Sequence, residues 1–201
     1  MGLAGAGRAA DDPLGGLLGF APGDALLTTG PSTVLDVSGR LVDDTAVDGG
    51  VYDPLFVDAG AVSLSAQGDL RFDGLIAANA GGWRDVAGVF APGSAGDVAL
   101  AVDFTDAPRR LDLAGRFEAF TFGGDDASSL SLKAPGFVIE AGGADSGGRL
   151  DGAGLEVVLG DAFFSSGGFT DYELVSTVSD LLVEDGARVD VNPLFRSVDD
   201  F

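Results

Sequence analysis

Ala61–Ile76 reads AVSLSAQGDLRFDGLI. Apolar side chains hold alternate positions in it, Val62 and Leu64, then Leu70 and Phe72, around a Gly68-Asp69 corner. Period-two alternation sends successive side chains to opposite faces of an extended strand. Gly and Asp form corners, through a permissive backbone and a carboxylate that accepts nearby amides. The pattern returns further along. Leu130–Gly136, LSLKAPG, matches Val62–Gly68, VSLSAQG, and Leu35–Leu41, LDVSGRL, is echoed by Leu111–Phe117, LDLAGRF. Short strands recurring between such corners predict stacked strand units, each covering the apolar face of its neighbour.

Outward from that stretch, strand signals recur at Leu35–Val37, Val62–Leu64, Leu70–Ile76, Val98–Phe104, Leu111–Phe117, Leu130–Leu132, Phe137–Ile139, Leu155–Val157, Tyr172–Val178 and Arg188–Val191. In Val98–Phe104, VALAVDF, the residues Val98, Leu100, Val102 and Phe104 point one way, and Ala99, Ala101 and Asp103 the other. A convincing 3.6-residue period is missing from every window, so the expected class is all-β. Residues 1–32, which include PLGGLLGFAPGDALL, read as an irregular Gly/Ala-rich lead-in, 33–191 as the repeat domain and 192–201 as a tail.

Strand direction separates a solenoid from a sandwich or barrel. One hairpin signal stands out, Asp185-Gly186 inside LVEDGARVDV at Leu182–Val191. The other corners are longer and Gly-rich, which suits a parallel coil. The expectation is a right-handed parallel β-helix, with an antiparallel β-barrel or sandwich as the alternative. Repeats of about twenty residues would give roughly seven turns. Stacked at about 4.8 Å, they would rise on the order of 35 Å.

The 201 residues carry 32 acidic against 11 basic side chains, a net charge of −21, and 46% of the chain is hydrophobic. That charge repels nucleic acid and anionic lipid, so neither is an expected partner. The hydrophobic content argues against a disordered chain. With no uninterrupted apolar run near 18 residues, membrane insertion through a helix is not expected. A positively charged leader before an apolar run is also missing, so the chain reads as a cytoplasmic protein or a piece of a longer exported one. Cysteine and histidine are both absent, which removes disulfides, imidazole metal sites and Ser-His-Asp or Cys-His catalysis.

Carboxylate pairs remain as the only acid–base option: Asp11-Asp12, Asp43-Asp44, Asp125-Asp126 and Asp199-Asp200. Neighbours in a strand face opposite sides, so solvated acidic turns are the favoured reading of these pairs. Asp44-x-Ala46-x-Asp48-Gly49 partly copies a calcium loop but lacks its middle oxygen ligand, and its twelfth position is Leu55. Gly142–Leu150, GGADSGGRL, does not fit a calcium-binding nonapeptide. Trp83 and Tyr52 are candidate sugar platforms, with packing as the plainer role, and Phe163, Phe164 and Phe169 read as core stacking. Phe201 would close a membrane barrel strand, but Asp199 and Ser197 occupy positions that should then be apolar. No catalytic, cofactor-binding or metal-ligating residue is expected, and the chain is not expected to be an enzyme.

Several segments together resemble the filamentous-haemagglutinin-like exoproteins of bacterial two-partner secretion. They are TVLDVSGRL (Thr33–Leu41), GAVSLSAQGDLRFDGLI (Gly60–Ile76), SLSLKA (Ser129–Ala134) and DAFFSSGGFTDYELV (Asp161–Val175), the last followed by LVEDGARV (Leu182–Val189). The resemblance covers about Thr33–Val191 and implies a right-handed parallel β-helix acting as the rigid shaft of a secreted or cell-surface adhesin. It also implies a ligand on a host or neighbouring cell. An outer-membrane transporter would be a second partner, engaged through a secretion domain that this sequence lacks. Its only similar motif is Asn192-Pro193-Leu194-Phe195, near the end instead of the start, so a fragment or truncated relative is expected. Leu70–Asp97 faintly resembles the final strands of transferrin-receptor lipoprotein barrels, which implies an antiparallel surface binding module instead. A virion structural protein and a β-helical polysaccharide lyase complete the alternatives.

Overall fold

The computed structural model describes residues 26–47, 56–103, 109–123, 127–143, 148–150 and 155–197. The first pass of the chain lays down β1 (Leu27–Thr28), β2 (Val34–Asp36), β3 (Leu41–Asp43) and β4 (Val62–Ala66). The second gives β5 (Leu70–Phe72), β6 (Leu75–Ala77), β7 (Gly82–Arg84), β8 (Phe90–Pro92) and β9 (Val98–Val102). The third gives β10 (Leu111–Leu113), β11 (Arg116–Glu118) and β12 (Ser129–Ala134). After these come β13 (Gly136–Glu140), β14 (Gly148–Leu150), β15 (Glu156–Gly160), α1 (Phe163–Ser166), β16 (Asp171–Ser176) and β17 (Leu181–Val183). The fold is nearly all β, and most strand pairs run parallel.

Four sheets result, with strand orders β4-β9-β12-β16, β2-β6-β11, β3-β7-β8 and β1-β5-β10-β14-β15-β13-β17. The first two are parallel throughout. Val34 pairs with Leu75 and Leu75 with Arg116, steps of 41 residues. Leu70 pairs with Leu111 and Leu41 with Gly82, also at 41. In the four-stranded sheet the steps vary: Val62 to Val98, then Val98 to Leu130, then Leu130 to Tyr172.

The repeat length therefore differs from the expected twenty residues. Alternation identifies a strand but does not encode how many strands each pass contains, and here a pass spans three or more. Among the described residues, only the β13–β15 pairing, Gly136 to Glu156, has a twenty-residue step.

The two sequence echoes fare differently. VSLSA and LSLKA occupy one sheet in one register, with VALAV of β9 between them. LDVSGRL and LDLAGRF do not stand opposite each other, because Leu35 pairs with Ile76, which pairs with Phe117. The counterpart of LDLAGRF is LRFDGLI (Leu70–Ile76), matched residue for residue. Both contain a break that alternation did not reveal: Leu70–Ile76 splits at Asp73-Gly74, where Gly74 has φ +139° and a Cβ would run into the Thr33 carbonyl.

Asp185-Gly186 forms a turn, with Gly186 at φ +90°, but no hairpin. Arg188–Val191 is not a strand, and β17 pairs parallel with β13 instead. Among the described residues, antiparallel pairing is confined to β7–β8, β10–β14 and β14–β15. Pairing also reaches beyond the expected repeat limits, to Leu27–Thr28 and to a bridge between Thr121 and Phe195.

The core follows the alternation. Val98, Leu100 and Val102 are buried while Ala99 and Ala101 are partly exposed; Phe104 lies outside the described residues. Leu64, Leu100, Leu132 and Leu174 form one inward column across the four-stranded sheet. Phe72 packs on Phe117 with ring centroids 5.5 Å apart. The single turn of α1 brings Phe163 and Phe164 into the same core.

Candidate functional site

The carboxylates decide what chemistry the surface can perform, so their partners come first. Asp58 accepts the Ser94 N–H at 2.8 Å, Asp69 the Arg110 N–H at 2.9 Å, and Asp97 the Ser129 N–H at 2.9 Å. Each bond reaches a residue one pass further along the chain. Sequence reasoning placed Asp on corners bonding local amides; at these three positions it joins successive passes instead. The signal available was the 32–41-residue spacing of each Asp from its partner, which shows only once the register is known.

Asn79 makes the same kind of link from a buried corner. Its Oδ1 accepts the Phe120 N–H at 2.9 Å, its own N–H donates to Ser38 Oγ at 3.2 Å, and its carbonyl accepts the Gly39 N–H at 2.8 Å. Ser38, Asn79 and Phe120 are spaced 41 residues apart. Buried amides need such partners, and a corner that leaves the strand ladder must obtain them from side chains.

Around Trp83 the structure gathers the sequence candidates Asp43 and Asp44. Strand β7 sets Trp83 between Val42 and Ala91, and its Nε1–H donates to Asp44 Oδ2 at 2.9 Å. Asp43 accepts from the Thr45 N–H at 2.9 Å and the Thr45 hydroxyl at 2.6 Å, with Arg84 at 4.0 Å. The Thr45 hydrogen bonds, helped less by Arg84, hold the Asp43 carboxyl below its ordinary value. A general acid needs the opposite shift. The cluster forms a corner with a half-buried indole, in which Asp43 and Asp44 both already accept hydrogen bonds.

Tyr52, Asp48 and the pairs Asp11-Asp12, Asp125-Asp126 and Asp199-Asp200 lie outside the described residues. Among the described residues no group of three acidic side chains is placed to hold a metal ion, and no helix is long and apolar enough to cross a membrane. Phe163, Phe164 and Phe169 are buried around Tyr172, at centroid distances of 6.0, 5.1 and 5.9 Å. Burial raises the pKa of the Tyr172 hydroxyl, which has no partner among the described residues.

The remaining surface feature is an apolar rim. Among the described residues, nine of the seventeen exposed large apolar side chains lie between Val175 and Phe195, on the edge strands β16 and β17 and the segment that follows them. Leu182 is 56% exposed and Phe195 59%. β17 pairs only with β13 and β16 only with β12, so each has one free backbone edge among the described residues. No protein-family model, curated protein or solved structure matches this chain.

Proposed function

We propose that the chain is a segment of a secreted or cell-surface filamentous protein of adhesin type, in which a right-handed parallel β-helix serves as a rigid, non-enzymatic shaft for attachment. The observation that carries this reading is the in-register parallel ladder β4-β9-β12-β16, in which four successive passes place apolar residues in the same inward columns. Asp58, Asp69, Asn79 and Asp97 support it, since each fastens one pass to the next. The hand follows from parallel strands joined by crossovers, which are right-handed in about 98% of cases.

Each pass contacts mainly its neighbours, so stiffness along the stack comes from repetition and needs no additional core. At about 4.8 Å per strand, the four-stranded sheet contributes roughly 14 Å of shaft and the seven-stranded one roughly 29 Å. The inserted β14 and β15 account for two of the three additional strands. Such a length suits one portion of a longer filament. The acidic surface keeps neighbouring shafts apart in solution. Its partner would be a ligand on a host or neighbouring cell, with export through an outer-membrane transporter.

The test is antibody labelling of intact source cells, with protease shaving as a second readout. Surface labelling that is lost on shaving supports the proposal. Labelling that appears only after lysis, or release of sugar products when the chain is incubated with acidic polysaccharides, overturns it.

A further inference from the structure

The open edge of β16 joins three properties that occur together nowhere else among the described residues. It is six residues long, its backbone groups on one side face no strand, and its inward residues Tyr172 and Leu174 are only partly covered. Its outward residues Asp171 and Glu173 are exposed and acidic. From Asp171 to Arg196 there are six acidic and two basic side chains. One of those two, Arg188, is paired with Asp190, and the other, Arg196, sits over the Phe120 ring.

We propose that β16 is a docking edge for an extended cationic peptide segment of another protein, which adds as a fifth strand to the four-stranded sheet. Strand addition supplies main-chain hydrogen bonds to the free edge, and alternate side chains set specificity. Apolar residues at every second position of the partner would cover Tyr172 and Leu174. Lys or Arg at the intervening positions would face Asp171 and Glu173.

Charge selects this occupant over a second copy. Two β16 edges laid together would bring Asp171 and Glu173 against their own like, a destabilising cross-strand arrangement. Edge carboxylates are also a known means of discouraging self-pairing. The inference needs the free edge and its charge. A further pass of a longer filament laid on β16 would take the partner's place, so slow exchange along this edge in the protein isolated from its source would also overturn it.

The experiment uses the full chain and a labelled heptapeptide, Thr-Val-Lys-Leu-Lys-Val-Thr, with its Glu-for-Lys counterpart as control. Fluorescence anisotropy reads binding, and amide hydrogen exchange reads the location. Saturable binding of the Lys peptide that weakens with salt and slows exchange along Asp171–Ser176 is the expected result. The D171N/E173Q double variant, checked for unchanged circular dichroism, should bind at least about tenfold more weakly. Equal binding of the Glu peptide, or undiminished binding by the variant, overturns the proposal. So does slow exchange of the β16 edge in the free monomer, which would mean that the chain covers it itself. Self-association of the free protein with β16 protection would assign the edge to a second copy instead.

Discussion

Replacing Leu100 with Ala tests the packing of the four-stranded sheet from its centre. Leu100 is 1% exposed and lies in register between Leu64 on β4 and Leu132 on β12. The substitution removes three carbons beyond Cβ, about 2.4 kcal/mol at roughly 0.8 kcal/mol per carbon. The hole cannot close easily, because ladder hydrogen bonds on both sides hold the strands about 4.8 Å apart. A cavity contribution therefore adds to the transfer cost, and the expected total is about 3–4 kcal/mol. Leu64→Ala on the edge strand, where the side chain is only partly buried and one side is open, should cost about half as much. With a urea slope of about 2 kcal/mol per molar, the central variant should shift the midpoint by roughly 1.5–2 M and the edge variant by under about 1 M. Equal losses at the two positions, or a loss below about 1 kcal/mol at Leu100, would refute the stacked-column reasoning.

Other positions give independent checks. Gly96→Ala would drive a Cβ into the Gly60 carbonyl of the preceding pass, so loss of the folded far-ultraviolet spectrum or a large drop in melting temperature is expected. Asn79→Ala removes the acceptor of the part-buried Phe120 amide and should cost about 1–2 kcal/mol by urea denaturation, whereas a neutral result would show the corner is not held this way. Asp36 and Asp43 have folded pKa values below their ordinary ones, chiefly through Ser38 and Thr45 hydrogen bonds. Their stabilisation is therefore complete above the ordinary carboxylate value and is lost as pH falls through the lowered one. A D36N/D43N double variant should accordingly lose less stability than wild type between about pH 4 and pH 2, read from melting temperatures.

Alternation made the strand faces legible: Val62, Val98, Leu100, Leu130 and Leu132 all turn inward where the pattern places them. Parallel pairing was legible in the scarcity of hairpin corners. The period was not, because VSLSA and LSLKA are two passes apart and VALAV between them shares little beyond its apolar positions. Strands of three residues, such as Gly82–Arg84 and Leu181–Val183, are too short for alternation to mark. Their geometry is imposed by neighbours in register, as is the turn of helix at Phe163–Ser166. The candidate residues near Trp83 were visible as residue types, but the sequence could not show that Asp44 is held by the indole. Open edges are equally invisible, since a strand on the rim reads like one in the middle.

Strand direction is the central claim, and the absence of cysteine from the chain makes it directly measurable. Ser63 pairs with Ala99 and Ser65 with Ala101. Double-cysteine variants S63C/A99C and S65C/A101C should form disulfides under mild oxidation, since parallel neighbours lie within bridging range. The crossed variants S63C/A101C and S65C/A99C should remain reduced. Oxidation of the crossed pairs in preference to the direct ones would mean antiparallel strands, and would contradict the account.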